Sequence, residues 1–510
     1  MEHWQISMLI MVLYLAIALI VGVLAGRGTN KASLEEFTTA GRGLGLFLTW
    51  FLMGGAIFSA FSFLGAPGWA FTRGAPAFYI LAYLAFSLLP WYILGPKIGR
   101  IGRKFNLYSL VGFLQTRFRS KALGILVGFI AFFACIQYLA TQLRGMAIIF
   151  NIMTEGRIAF WFGALVAYAI VVTYVATGGL RAAAWSDVFQ GALMITVSWV
   201  VGIMIVKKMH GTTSEMFSKL AAADPDFLRI GVEGSTMSTT AFTSVILVSV
   251  IGFLMWPHMF ARSYSSNAVT IKKTVIAYPL FALLIIPLLL AGFAAVGVVD
   301  IAAVGASDQI LPYLITTFLS LPGWLYGLVG AAALAAAMSS ADVITHSASM
   351  EFTDGVIKNM FPNLSDKVTL LIMRSAVVLI GALAYCIAVF GGQGVVALLL
   401  GAYGSIIQFT PGVLSALYWK RVTTKGVFTG IIVGFAVNLY FQLFASTTPF
   451  EIHPGLIGLI ANTIVMVGIS YVTKPDTSSV VESYVNDQKK TKQTKDHSMT
   501  PDASIDTYQS

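Results

Sequence analysis

Long apolar segments separated by short polar ones make up most of this chain. A helix needs roughly 20 predominantly apolar residues to cross the bilayer core, and the pattern predicts an all-α polytopic membrane protein with about 13 transmembrane helices. No basic residue precedes the first segment and no small-residue cleavage site stands out, so we interpret it as a retained helix. The predicted segments cover approximately 6–24, 46–71, 76–95, 122–153, 158–177, 188–207, 242–260, 275–299, 314–345, 370–390, 394–418, 426–444 and 455–473.

Composition and charge agree with this class. Of 510 residues, 57% are hydrophobic and 11% are charged, whereas soluble proteins carry about 25% charged residues. Most Lys and Arg lie in alternate loops, before residues 46, 122, 188, 275, 370 and 426. The positive-inside rule therefore predicts a cell-membrane protein with its N-terminus outside and its C-terminus in the cytoplasm. This placement accounts for the net charge of +10 without a nucleic-acid partner.

The boundaries of the membrane domain follow from the same pattern. We expect one transmembrane domain over residues 1–473 and a disordered cytoplasmic tail over 474–510, where Lys, Asp, Ser and Thr replace apolar residues. The tail lysines should be solvated, with contact to anionic membrane lipid as the alternative. Cys135 and Cys386 both lie in apolar segments and indicate neither a disulfide framework nor a metal site. No obligatory protein partner is indicated.

Glycine and proline interrupt two of the apolar segments. The second segment reads FLMGGAIFSAFSFLGAPGWAF and the seventh reads FTSVILVSVIGFLMWPHMF. Proline removes a backbone donor, and carbonyls freed in lipid need other partners. Paired interruptions of this kind point to a transporter binding site. The two segments are five apart, an odd offset, so segments 2–6 and 7–11 would form a 5+5 inverted repeat. The alternative is that these residues serve helix packing alone.

Four stretches, in chain order, resemble the sodium/solute symporter family, whose members carry sugars, proline, pantothenate and monocarboxylates. They are FLGAPGWAFTRG at 63–74, YVATGGLRA at 174–182 followed by WSDVFQG, WPHMFARSYSSN at 256–267 and LAAAMSSADV at 334–343. The resemblance covers about residues 5–473 and implies the leucine-transporter fold with its inverted repeat. TWFLMGGAIFSAF, at 49–61, is most similar to the monocarboxylate and amino-acid branch.

The resemblance also implies a sodium site with Na⁺ as the coupling ion. Its ligands would be backbone carbonyls of the second and ninth segments and two hydroxyls of the ninth, namely Gly55, Phe58, Ala336, Ser339 and Ser340. Neutral oxygen ligands suit a small hard cation that must leave again. The alternative for the two serines is a hydrogen bond to the preceding turn within a small-residue interface.

Several charged residues have two interpretations each. The resemblance implicates Asp187 in ion release; the alternative is a first-turn acid that the helix dipole stabilises. Asp342 should face water or a partner, as part of the ion path or in a pair at a helix end. His258 is interpreted as a packing residue rather than a proton relay, and Arg262 as a cytoplasmic anchor. For Arg144 we leave snorkelling and pairing open.

The solute should lie beside the sodium ion, between the second, fourth, seventh and eleventh segments. Each candidate residue could equally serve helix packing or interhelical hydrogen bonding. The candidates are Ser59, Ser62, Gln137, Gln142, Phe253, Trp256, Pro257, Tyr403 and Gln408. Related carriers often have an aspartate near the sodium residues of the second segment, where this chain has Ala56 and Ile57, and this difference puts a further ion ligand in doubt.

The sequence favours a sodium-coupled importer of a small organic solute, a carboxylate or an amino acid, that works by alternating access. A proton-coupled symporter of the same fold is the first alternative, but the apolar segments hold few buried acids or histidines. A membrane-embedded sensor or enzyme is the alternative from another class. We find no HExxH motif, no cysteine cluster and no nucleotide-binding motif that would support it.

Overall fold

The computed structural model describes residues 2–25, 33–319, 321–445 and 447–486, and all regular structure in these ranges is helical. Two π-helical stretches, Phe61–Gly65 and Thr353–Ile357, and six short 3₁₀ turns accompany the α-helices. The α-helices are α1 His3–Ala25, α2 Leu34–Thr39, α3 Leu46–Gly55, α4 Ala66–Arg73, α5 Tyr79–Phe86, α6 Trp91–Lys104, α7 Leu110–Phe118, α8 Lys121–Met153, α9 Phe160–His210, α10 Thr213–Ala223, α11 Thr239–Phe253, α12 Pro257–Ser265, α13 Ala268–Ala277, α14 Pro279–Ala282, α15 Ile285–Ala295, α16 Ile301–Val304, α17 Ile310–Thr317, α18 Gly323–Phe352, α19 Lys358–Met360, α20 Asp366–Phe390, α21 Val395–Ile406, α22 Thr410–Tyr418, α23 Thr424–Leu443, α24 Pro454–Val472 and α25 Ser479–Val485.

The all-α membrane architecture is confirmed, whereas the count of thirteen spans is not. In the described ranges, nine helices are long and apolar enough to cross a bilayer, or up to eleven if each of two bent pairs counts as one span. One pair combines Ala75–Phe86 with Trp91–Lys104 at a bend of 45°, and the other combines α11 with α12 at 41°. The predicted second span is divided between two short helices, α3 and α4. Several predicted spans are interrupted, and the short helices that result are not long enough to count as spans, which accounts for much of the difference between the predicted and the observed number.

The fifth and sixth predicted spans lie within one helix, α9. The sequence predicts a loop between residues 177 and 188, but the structure is helical throughout Phe160–His210, 51 residues. Such a helix measures roughly 75 Å if straight, more than twice the bilayer core. Its two apolar stretches, Phe160–Thr173 and Ala183–His210, are nevertheless distinct. Arg181, expected in the loop, pairs instead with Glu36 of α2 at 2.8 Å.

Helix α18 forms the centre of the molecule. Its residues from Val329 to Glu351 are all buried, and it packs against α1, α8 and α9. Small side chains permit this close approach: a Cβ atom added at Gly327 would lie 2.7 Å from the Cβ atom of Ile10 in α1. Helices in lipid associate largely through such small-residue packing. The small side chains of α18 therefore allow other helices to pack closely around it.

Both predicted interruptions are present, and α8 supports the first. Helix α3 ends at Gly55, and residues 56–59 form turns and bends before helical structure resumes at Ala60. The Gln142 side chain of α8 accepts a hydrogen bond from the Ala60 N–H at 2.9 Å. The Tyr138 hydroxyl, one turn away on α8, donates to the Ala56 carbonyl at 3.2 Å. Polar side chains of α8 thus satisfy backbone groups on both sides of the interruption, as burial requires.

The segment after the last predicted span is folded in part. Helix α25 lies within the predicted disordered tail, and Tyr484 is fully buried, with its hydroxyl donating to the Phe113 carbonyl at 2.9 Å. The Lys97 ammonium donates to the carbonyls of Leu417 and Val485 at 2.7 and 3.3 Å. The structure therefore differs from the predicted disorder at Ser479–Val485, where the buried side chains of Val481 and Tyr484 hold a short helix against the membrane domain. The four lysines Lys489, Lys490, Lys492 and Lys495 lie outside the described residues.

We predict that Gln142→Leu destabilises the protein because it leaves the Ala60 N–H buried without an acceptor. An unsatisfied buried polar group costs about 1–3 kcal/mol. Thermal unfolding in detergent measures the change. Gln137→Leu is the matched control, since it is the same substitution on the same helix and the Gln137 Oε1 atom has no hydrogen-bond partner among the described residues. Equal losses of stability in the two variants would contradict the prediction.

Candidate ion and solute site

Two adjacent hydroxyls of α18 meet the carbonyls at the end of α3. The Ser339 hydroxyl donates to the Gly55 carbonyl at 2.8 Å and, at a longer 3.4 Å, to the Ala336 carbonyl of its own helix. The Ser340 hydroxyl lies 3.3 Å from the Gly55 carbonyl and 3.1 Å from that of Ala56. The alternative of a bond to the preceding turn therefore describes only the longer contact of Ser339. The shortest contact joins the two helices.

The structure brings four of the five predicted sodium ligands together. Gly55, Ala336, Ser339 and Ser340 form one cluster of oxygen atoms, and Phe58 lies in the same interruption, with its N–H donating to the Gly54 carbonyl at 3.0 Å. A donating hydroxyl keeps two lone pairs, and a carbonyl also has two. These oxygens can therefore face a cation while they hold the two helices together.

Two further groups border this cluster that the sequence prediction missed. The Ala56 carbonyl accepts from both Ser340 and Tyr138. Tyr138 is buried, and its ring lies 4.8 Å from that of Trp256 between centroids. A tyrosine in the middle of an apolar span, away from the interface where this residue is enriched, needs a partner for its hydroxyl. The position of Tyr138 in the sequence is therefore a signal for a polar partner, in the same way as the amides of Gln137 and Gln142 nearby.

Asp187 of α9 lies directly against the end of α3. A Cβ atom added at Gly55 would be 3.1 Å from the Asp187 carboxyl carbon, a tighter contact than most Cβ atoms make, so any larger residue would have to displace the carboxylate by a few tenths of an ångström. The side chain is fully buried, and neither carboxylate oxygen has a hydrogen-bond partner among the described residues. Asp187 lies in the interior of α9, so the alternative of a first-turn acid is wrong. A buried carboxylate therefore borders the cluster of neutral oxygens.

Asp187 belongs to a small group of buried charges. Asp342 and Arg262, each only 1% exposed, are close enough to act on it electrostatically. The expected role of Arg262 as a cytoplasmic anchor is wrong, because its guanidinium is enclosed within the protein. Asp342 lies in the interior of α18 rather than at a helix end, and one of its oxygens accepts from the Val343 N–H at 2.6 Å. Mutual attraction offsets part of the cost of burying such charges.

Aromatic side chains pack together next to the two interruptions. The Trp256 ring lies 5.3 Å from the Tyr403 ring between centroids and 4.8 Å from that of Tyr138. Phe253 ends α11 and Pro257 begins α12, so both flank the bend in the seventh predicted segment. All these side chains are buried. The arrangement groups these aromatic side chains around the bend between α11 and α12, close to the oxygen cluster.

The predicted polar solute contacts divide into two groups. Ser59, Ser62, Gln142 and Gln408 already bond to the protein: Ser59 accepts from the Phe61 N–H, Ser62 donates to the Ile57 carbonyl, and Gln142 accepts from Ala60. The Gln408 amide donates to the carbonyls of Gly404 and Gly455, both at 3.0 Å, and so joins α21 to α24. Gln137 differs from these residues, since its Oε1 atom has no hydrogen-bond partner among the described residues.

Arg144 forms an ion pair, which resolves the alternative left open by the sequence. Its guanidinium lies 3.6 Å from Asp308, which is itself nearly buried, and 5.6 Å from the centroid of the Phe160 ring. Asp308 belongs to the 3₁₀ turn between α16 and α17. The pair therefore connects α8 to the turn between α16 and α17.

Residues 37–434 match the sodium:solute symporter family. The uncharacterized symporter YhjB of Bacillus subtilis (strain 168) is 31% identical over 484 residues, which cover 92% of this chain and 97% of that protein. A monocarboxylate transport permease protein of Rhizobium johnstonii is 25% identical and covers 91% and 96% of the two chains.

The fold also matches that of a solved structure. A Na⁺-coupled sialic acid symporter in a substrate-bound outward-open state has a TM-score of 0.77 at 20% sequence identity, with 93% of this chain and 99% of that chain covered. The family consists of transporters rather than enzymes, and its coupling ion is sodium. The chain therefore belongs to the sodium:solute symporter family and is a multi-pass membrane transporter that imports a small organic solute together with sodium.

Proposed function

We propose that this symporter carries a small carboxylate or an amino acid and binds Na⁺ with the oxygens of Gly55, Phe58, Ala336, Ser339 and Ser340. The observation that carries the proposal is the contact of both serine hydroxyls of α18 with the carbonyl that ends α3. A monovalent cation between the two helices would strengthen their contact. It would thereby favour the arrangement of the interrupted helix in which the solute site is complete.

Two features support an anionic group on the solute. Helix α12 begins at Pro257, next to the group of aromatic side chains, and a helix N-terminus favours negative charge. A carboxylate placed near the bound sodium ion would also attract it. Each ligand would then raise the affinity of the other, which is the reciprocal coupling that symport requires. The name of the related monocarboxylate permease agrees with this class of solute.

We propose that Asp187 and Asp342 form the path by which sodium leaves toward the cytoplasm. The two carboxylates lie near one another and next to the oxygen cluster, and Arg262 is the cation that offsets part of their charge. A sodium ion that moves toward this pair would leave neutral carbonyl and hydroxyl oxygens and gain negatively charged carboxylate oxygens as ligands.

We place the protein in the cell membrane with its N-terminus outside, which is the orientation that the distribution of basic residues supports.

We predict that Ser340→Ala raises the sodium concentration for half-maximal uptake by about tenfold, because one ligand of the ion is lost and tenfold corresponds to roughly 1.4 kcal/mol. Uptake into proteoliposomes at graded sodium concentrations measures this. Ser347→Ala is the matched control: it is another buried serine of α18, with no hydrogen-bond partner for its hydroxyl among the described residues. Unchanged sodium dependence in Ser340→Ala, or an equal change in the control, would refute the sodium site.

We predict that Asp187→Asn slows transport more than it weakens sodium binding. If the carboxylate draws the ion out of the site, the neutral amide should reduce the maximal uptake rate by at least about tenfold, equivalent to roughly 1.4 kcal/mol of barrier. The sodium concentration for half-maximal thermal stabilisation of the purified variant reports binding separately. A large loss of sodium binding with an unchanged maximal rate would assign Asp187 to the binding site instead of the release path.

The solute class is tested by a panel of labelled monocarboxylates, amino acids and sugars. Each is offered to proteoliposomes with an inward sodium gradient and with none. We expect gradient-dependent uptake of a monocarboxylate or an amino acid. Uptake of a sugar alone would overturn the proposed class. Uptake that a pH gradient drives in sodium-free buffer would favour the proton-coupled alternative.

A further inference from the structure

We propose a binding site for an anionic phospholipid headgroup, separate from the transport site, at the start of α8. A cavity of about 490 Å³ lies between the end of α7, the first residues of α8 and the segment that follows α18. Its basic lining residues are Arg119, Lys121 and Lys358, and Asp354 is the acid among them. A basic cavity of this kind on the surface of a membrane protein is suited to a phosphate-bearing headgroup.

The residues that line the cavity carry a net positive charge, which favours binding of an anion. Lys358 lies 3.8 Å from Asp354 and donates to the Tyr108 hydroxyl at 2.8 Å, so these two opposite charges neutralise each other. The side chains of Arg119 and Lys121 have no hydrogen bond or ion pair to a described residue. Two positive charges therefore remain for a ligand. Arg119 is the C-terminal capping residue that follows α7, with φ +50°, a backbone conformation uncommon for a residue with a side chain.

Apolar surface next to the cavity favours a lipid over a free anion. Lys121 is the first residue of α8, a helix long enough to span the membrane. Ile125, Phe129 and Phe133 follow it at intervals of four residues on one face of the helix and are 37%, 61% and 38% exposed. At the opposite rim, Met360 and Phe361 are 61% and 57% exposed. Acyl chains can lie along these side chains while the headgroup phosphate contacts Arg119 and Lys121.

A lipid headgroup bound in this cavity would connect the segment that follows α18 to α7 and α8. Glu351, fully buried near the end of α18, already accepts hydrogen bonds from the backbone N–H groups of Leu110 and Val111, both at 2.8 Å. Asp354, one turn later, accepts from the Tyr108 hydroxyl at 2.9 Å. A phosphate held by the charges of Arg119 and Lys121, and by a remaining N–H donor of the Lys358 ammonium, would add a third connection at the same junction. The lipid would therefore stabilise the helix that also carries Ser339 and Ser340.

The test measures binding of phosphatidylglycerol to the purified full-length protein in detergent, by native mass spectrometry and by thermal stabilisation. It uses neither sodium nor solute, so it is independent of the proposed transport site. We expect the Arg119→Gln/Lys121→Gln double variant to bind about 30-fold more weakly, since each basic residue near a lipid surface contributes about fivefold. Arg119→Lys/Lys121→Arg should restore binding. The matched control is Lys367→Gln, an exposed lysine at the start of α20 outside the cavity.

Four results would overturn the proposal, three from binding comparisons and one from a salt titration. The first is unchanged binding in a double variant that elutes as a folded monodisperse protein. The second is an equal loss in Lys367→Gln, which would show a general effect of surface charge. The third is equal stabilisation of the wild-type protein by inorganic phosphate at the same concentration, which would assign the cavity to a free anion. A salt titration of the wild-type protein requires no variant: weakening with salt is expected, and binding independent of salt would refute the headgroup contact.

Discussion

The structure depends on one constraint: the backbone groups freed where α3 stops inside the membrane must find partners other than water. Unsatisfied carbonyls cost several kcal/mol in an apolar interior. Here Ser339 and Ser340 of α18 and Tyr138 of α8 supply the hydrogen bonds. The neighbours that stabilise the interruption thus bring hydroxyl oxygens to it. The hydroxyl oxygens that satisfy the freed carbonyls therefore belong to the group of neutral oxygens proposed to bind sodium.

Small residues make this solution possible. The alanine-rich sequence around Ser339 lets α18 pack closely against its neighbours, and Gly55 leaves space for the Asp187 carboxylate. The neutral cluster and the buried charges of Asp187, Asp342 and Arg262 therefore lie side by side. Neutral ligands suit a monovalent ion that must leave again, and the adjacent acidic pair is the position to which the proposed release path leads. In this proposal, sodium binding and sodium release depend on different, adjacent groups.

The sequence predicted the helical class, the two interruptions and the residues around Gly55, because composition and the pairing of glycine with proline are local features. It did not predict the continuous α9, since a run of moderately polar residues at 178–187 is compatible with loop or helix until packing decides. It also placed Arg262 at the surface, because a basic residue near a helix end usually lies there. Its burial depends on two acids, Asp187 and Asp342, that are distant in the chain. Helix α25 was missed because its few buried side chains gain their neighbours only in the folded protein.

The proposed sodium site between α3 and α18 is tested most directly by an experimental structure of the wild-type protein in lipid nanodiscs, determined once in sodium and once in choline chloride. We expect density in sodium alone, within coordination distance of the Gly55 and Ala336 carbonyls and the hydroxyls of Ser339 and Ser340. We also expect residues 55–59 to be better ordered in sodium than in choline. Sodium density at another site, together with identical structures between α3 and α18 in the two salts, would contradict this site.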